Sequence, residues 1–241
     1  MRSGRKKISP RIIAISLLVM YCVLVSALVC FAGQKAGIVT HLSGPLFAKK
    51  TDGTTRVLSI NSVVEMGDLL VTEKRTYARI KFTDGGEMTL RPNTHFRISQ
   101  YSFDQSMAKN DKAIFNLIKG GLRSITGLIG KRGDQDSYKM VTDTAVAGVR
   151  GTTYECRICE GNCGSIPNGL YLYVVQGVIN VSNNAGSQNI SAGQYVYVQN
   201  INAKPTILPA NPGINFTLPP TIGDTQSQKG GAPKDSGCIV R

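Results

Sequence analysis

The chain has no tryptophan, and its aromatic residues are scattered. A core of Val, Ile and Leu is therefore expected in a part long enough for one sizeable core or two small ones. Histidine is also scarce. Of the two present, His41 falls in a strand-like run and His95 lies beside Asn93 and Phe96, and neither sits in a Gly-x-Ser-x-Gly setting. Nucleophilic catalysis needs a base near its nucleophile, so no catalytic residue is assigned and no enzyme is expected. Beyond residue 33 no sustained 3.6-residue apolar stripe occurs. Ser124 to Ile129 is the one stretch where a helical turn is worth considering, and Gly127 and Gly130 work against it.

Acidic residues are outnumbered, 15 against 28 basic ones, for a formal charge of +13. Five basic residues and no acidic ones precede Gly33, which leaves 23 against 15, a surplus of +8. That surplus is spread along the chain. Its densest group, Lys119, Arg123, Lys131 and Arg132, lacks the interleaved aromatics on which bases stack, so no nucleic-acid partner is expected. A solvated turn or a contact with an anionic envelope partner remains open there. A phosphate loop is rejected at Gly127 to Arg132: Ile125 takes the place of the first P-loop glycine and Arg132 that of the Ser or Thr.

What is present begins with Arg2, Arg5, Lys6, Lys7 and Arg11, followed by an uncharged, mostly apolar run from Ile12 to Gly33. This is the layout of an export signal. Residues 1–33 are read as a signal peptide or an N-terminal membrane anchor. The run is long enough for either, and Cys30-Phe31-Ala32 offers a cleavage site after Ala32. If residues 12–33 are retained, the basic flank stays cytoplasmic. Either fate puts the remaining chain outside, in the periplasm.

From Gly37 to Gln199 the pattern is short β-segments between turn residues. In Tyr77 to Phe82, Ala78, Ile80 and Phe82 share one face while Arg79 and Lys81 share the other. Asp84-Gly85-Gly86 then turns the chain into Glu87 to Leu90 as a hairpin. Further strands are expected at Gly37 to Ala48, Leu69 to Thr72, Phe96 to Ser99, Ala113 to Ile118, Tyr138 to Val141, Thr152 to Arg157, Leu170 to Val175, Val178 to Ser182 and Gln194 to Gln199. Glycine-led runs at Gly121, Gly177 and Gly193 suit a rolled or solenoid-like stack of short strands. The fold class is all-β, over residues 37–199, with an apolar N-terminal helix. Residues 200–241 are read as a Pro/Gly-rich flexible tail, since prolines from Pro205 onward break any strand and Thr221 to Gly237 is polar.

Three cysteines, Cys156, Cys159 and Cys163, crowd one loop. In an oxidising compartment such cysteines pair, as Cys156 with Cys163 or Cys159 with Cys163, and Cys238 is a further disulfide candidate. A metal site would need His41, His95 or Cys238 as a distant fourth ligand, and a redox dithiol would normally open a helix after a strand. No metal or cofactor is assigned. Asp68 and Asp84 adjoin glycines, where Asx turns use them. Arg150 is flanked by Gly148 and Gly151, so it is either an exposed arginine on a β-bend or a ligand contact, and is carried as the candidate binding residue.

Taken together, Gly67-Asp68 with Val71-Thr72, Phe82 with Asp84-Gly85 and Leu90, Pro92-Asn93-Thr94, Gly121-Leu122-Arg123, Val146 to Thr152, Gln176-Gly177-Val178 and Ala192-Gly193-Gln194 resemble the FecR domain family. That family is a bacterial periplasmic module named for a regulator that relays an iron-citrate signal to a sigma factor. The resemblance implies an all-β fold and a sensing or protein-binding role without assigned chemistry. It supplies no catalytic residue. The short basic flank and the lack of a legible αβ domain after Gln199 depart from the full transmembrane regulator. The expectation is a stand-alone exported module that engages an envelope protein or cell-wall component. The alternatives are a membrane-anchored, anti-sigma-like regulator and a thiol-redox or metal protein built on the cysteines.

Overall fold

A computed structural model describes residues 33–132, 136–215, 218, 219 and 222. The apolar run 12–33 lies almost wholly outside these residues, as do Cys238 and most of the tail beyond residue 215.

Among the described residues the chain forms strands β1 (Lys35–Leu42), β2 (Leu46–Lys49), β3 (Thr55–Leu58), β4 (Val63–Glu65), β5 (Leu69–Thr72) and β6 (Ala78–Phe82). There follow β7 (Glu87–Leu90), β8 (His95–Ser102), β9 (Lys112–Lys119), β10 (Gly121–Ile125), one helical turn α1 (Ile129–Arg132) and β11 (Tyr138–Val141). The last strands are β12 (Val146–Cys159), β13 (Gly169–Asn183), β14 (Gly186–Ser191), β15 (Tyr195–Val198) and β16 (Thr206–Leu208).

All sixteen join in one sheet, ordered β3-β2-β5-β8-β9-β11-β12-β10-β7-β6-β1-β4, with β13 to β16 branching from β12. The two ends of that path, β3 and β4, are neighbours in sequence, joined by residues 59–62. A twisted sheet whose end strands meet in this way curls almost into a barrel. The rolled, all-β expectation therefore holds. Every pairing is antiparallel except β9 with β11, so the sheet is not a stack of parallel coils.

Inward residues alternate along the strands: Ala78, Ile80 and Phe82 of β6 are buried, and Lys81 between them is exposed. The core is not purely aliphatic. The few aromatics gather at its centre, where Phe115 lies 5.0 Å from Phe82, 5.3 Å from Phe96 and 5.4 Å from Tyr138, centroid to centroid. Offset and edge contacts of this kind add about 0.5–1.5 kcal/mol per pair beyond burial.

Three expectations change. The segment Gly37 to Ala48 is two strands, broken at Ser43-Gly44-Pro45. The helical turn comes later than Ser124, because Ser124 and Ile125 belong to β10, and it starts only at Ile129. The chain past Asn202 is not all tail: β16 pairs with β15, and Ile214 is buried. Pro205 and Pro209 bracket this three-residue strand rather than interrupt it, and β16 is an edge strand, where a proline's missing N–H costs no ladder bond.

Candidate functional site

The sequence motifs converge on turns, bulges and buried polar knots. Asp68 is fully buried and accepts from the Glu65 N–H (2.9 Å) and from Arg56 Nη2 (2.6 Å), while Lys50 Nζ lies 3.5 Å from its second oxygen. Thr72 Oγ1 donates to the Arg91 carbonyl (2.6 Å) and accepts from the Thr94 N–H (2.9 Å). Thr94 Oγ1 in turn donates to the Gly121 carbonyl (2.9 Å) and accepts from its N–H (3.1 Å). Asp84 makes the Asx turn expected of it, accepting from the Gly86 N–H (3.0 Å), and its other oxygen accepts from the Ile129 N–H (3.2 Å). These side chains satisfy backbone groups that the turns leave without ladder partners, which buried polar atoms require.

The longest motif, around Arg150, lies where the register of β12 and β13 shifts between Arg150 and Thr153. Gly151 and Gly177 face each other across this bulge with φ of +61° and +87°, a conformation that costs a non-glycine residue strain. Thr152 Oγ1 clamps it by donating to the Val178 carbonyl (3.0 Å). The bulge leaves Arg150 exposed at the end of an open groove of about 560 Å³. Cross-strand rows build its floor: Lys139, Gly148, Asn180 and Asn189 stand side by side on β11 to β14, and Arg150 stands opposite Val178. Gly148 contributes no side chain, so the floor dips between Lys139 and Asn180. Asn180 Nδ2 donates to Asn189 Oδ1 (2.7 Å), Lys139 pairs with Asp136 (2.8 Å), and Val178 is 48% exposed. Amides, cations, the Asp136 carboxylate and the apolar Val146, Val149 and Val178 along an open sheet face are suited to contacting another chain or polymer.

The three loop cysteines do not converge. Cys159 and Cys163 form a disulfide, one of the two local pairings left open by the sequence. The pair packs with Tyr171, Ile166 and Ile214 over two stacked tyrosine pairs, Tyr171 with Tyr197 (4.8 Å) and Tyr173 with Tyr195 (4.4 Å). Cys156 instead points into the main core with a free thiol, and burial pushes its pKa up to about 12. Cys238 lies outside the described residues. Among the described residues no three His, Cys, Asp or Glu side chains are placed to hold a metal ion. His41 is on β1 and His95 on β8. Partial burial, with help from Lys119, holds the His95 pKa below its ordinary value.

One cluster escaped the sequence reading. Glu155 is buried and accepts from Arg91 Nη2 (3.0 Å) and Arg123 Nη1 (3.2 Å). Burial raises its pKa, and the two arginines oppose the rise. The cluster forms through the register Arg123 to Glu155 between β10 and β12, which no spacing along the chain displays.

The architecture is that of a curled β-module whose motif residues shape its turns and seams, with an open polar groove on one face. A family model described as FecR protein matches residues 68–190, just over half of the chain, and the chain belongs to that family. Two crystal structures of a candidate anti-sigma factor from Parabacteroides distasonis ATCC 8503, at 2.50 and 1.65 Å, are similar to it. They are 13% and 12% identical, with TM-scores of 0.45 and 0.44, and each match covers 58% of this chain and 59% of the other. The chain thus spans less than two thirds of either structure. The search of curated proteins found no match.

Proposed function

We propose that the protein is a non-enzymatic binding or sensing module of the bacterial envelope that engages an envelope protein or cell-wall component through the groove at Arg150. FecR family membership supports the signalling role. The charged-then-apolar N-terminus supports export to the periplasm, and a disulfide between Cys159 and Cys163 suits an oxidising compartment.

The observation that carries the reading is the Arg150 bulge. Gly148, Gly151 and Gly177 with the Thr152 clamp form the local structure, while the guanidinium of Arg150, exposed, has no hydrogen bond or ion pair among the described residues. A bulge re-aims a side chain, and here it aims a guanidinium at solvent beside an open, amide-lined floor.

The test is a photo-crosslinking residue placed at Asn180 in the native organism, with and without Arg150→Glu. A discrete adduct to one envelope component, lost in the charge-reversed chain at unchanged expression, is the expected result. A cross-linking pattern identical with and without the substitution overturns the groove as the contact.

A further inference from the structure

A second feature lies away from the Arg150 groove. Arg91 follows the end of β7, and its N–H bonds to the Gly121 carbonyl (2.9 Å), while Gly121 stands opposite Arg157 on β12. The two arginines therefore flank a glycine on adjacent strands, with no side chain between them. The stem of Arg91 lies over that glycine: a Cβ there would come within 3.3 Å of Arg91 Cδ and 2.9 Å of the Cys156 carbonyl.

Like charges brought together across strands repel, and the nearby anions do not answer the repulsion. Glu155 already serves Arg91 and Arg123. The side chain of Arg157 has neither a hydrogen bond nor an ion pair among the described residues, although it is only partly exposed. Its pKa is held below the ordinary arginine value by burial and by Arg91.

Arg91 and Arg157 both line a pocket of about 190 Å³, together with Tyr77, Asn93, Gly120 and Asn162, and no acidic residue is among its lining. Asn93 is held there by a left-handed turn with φ of +56°. Asn162 is supplied by the loop that the Cys159–Cys163 disulfide closes. Two cations, two side-chain amides and a phenol around a small recess make a donor-rich site with a charge surplus.

We infer that this pocket binds an oxyanion, a carboxylate or phosphate group, with Arg157 as its principal ligand. The bound anion answers the charge of Arg157 and screens it from Arg91, and the amides of Asn93 and Asn162 complete its hydrogen bonding. Guanidinium forks match both oxyanions, which come from different sources: a phosphate ester, or the free carboxylate of a peptide.

The test follows the arginine Nε–Hε and asparagine side-chain amide signals by NMR. Inorganic phosphate, N-acetylglycine and the charge-free N-acetylglycinamide are titrated separately. Saturable shifts at Arg157 and Asn162 with phosphate or N-acetylglycine, and none with the amide, are expected, and the anion that saturates identifies the source. Arg157→Gln should weaken that binding by about tenfold or more, Arg157→Lys by less, and Arg150→Gln not at all. Without anion, Arg157→Gln should melt at or above the wild-type temperature, since a repulsion is removed. Absence of saturation with both anions, or equal affinity in wild type and both Arg157 variants, overturns the proposal. Neither result affects the Arg150 cross-link, which tests a groove that shares no lining residue with this pocket.

Discussion

Asp68, the residue before β5, is bonded to Arg56 on β3 at 2.6 Å and to the backbone of Glu65 at the end of β4 at 2.9 Å. Those are the two terminal strands of the sheet path, so one buried carboxylate ties the seam where the rolled sheet nearly closes. Glu65 reinforces it through Lys50 and, at 3.7 Å, Arg56. Removing the charge strands a buried backbone donor and releases Arg56. Asp68→Ala should cost about 1.5–3 kcal/mol, the range for hydrogen bonds to a charged group. Asp68→Asn keeps an acceptor for the Glu65 N–H and should cost less. Urea unfolding with an unchanged slope is the check; an Ala variant as stable as wild type would show that the seam closes without this contact.

The same residue shows what could be read from the sequence. Gly67-Asp68 was legible as a turn and as a family motif, and strands Leu69 to Thr72 and Tyr138 to Val141 emerge with the expected bounds, because alternation and β-branching are local signals. The partners of Asp68 were not legible: Arg56 and Glu65 lie on β3 and β4, strands of four and three residues that are too short to display an alternation in sequence. Strand β14 was missed for a related reason. It is an edge strand of Gly, Ser, Gln and Asn in which only Ile190 is buried. Arg150 and the cysteines were visible as candidates, but the Arg91, Arg123, Glu155 and Arg157 group depends on strand register, which follows from the whole sheet.

Gly120 is required on two counts. It lies at φ +86°, and a Cβ there would sit 2.5 Å from Thr94 Oγ1 and 2.7 Å from the Asn93 carbonyl. The second of these is backbone and cannot rotate away. Gly120→Ala should destabilise by about 1–3 kcal/mol through strain and by displacing the Asn93 turn. Chemical denaturation gives the cost. Weakened anion binding in the folded variant would further show that the turn shapes the Arg157 pocket.

Cysteine accessibility separates the two environments on β12. The fully buried thiol of Cys156, with a pKa near 12, should resist alkylation in the native protein at neutral pH even after mild reduction of Cys159–Cys163. In denaturant it should react completely. Cleavage at Arg150 and Arg157 isolates residues 151–157, which carry Cys156 as their sole cysteine, so mass spectrometry reads it directly. Rapid native labelling of that peptide would place Cys156 at the surface or in an open core.

Buried phenols set the alkaline limit of the fold. Burial is the leading cause that raises the pKa values of Tyr101, Tyr138, Tyr154 and Tyr171 above 10.0, Tyr138 and Tyr171 to about 12. Above pH 10 the unfolded chain ionises these phenols while the folded chain keeps their protons. Their contribution is therefore fully present below pH 10 and is lost as pH rises through the folded values. Stability should fall steadily from about pH 10 upward, with each phenol adding to the slope. Phenolate absorbance should rise in two stages, the more accessible tyrosines first and the buried four together with loss of the native circular dichroism. Tyr138→Phe should flatten the fall in stability, although it removes the 2.9 Å bond between Tyr138 and Ser124 and leaves that hydroxyl without this partner. A single-stage titration of all nine tyrosines, complete before the fold is lost, would contradict their burial.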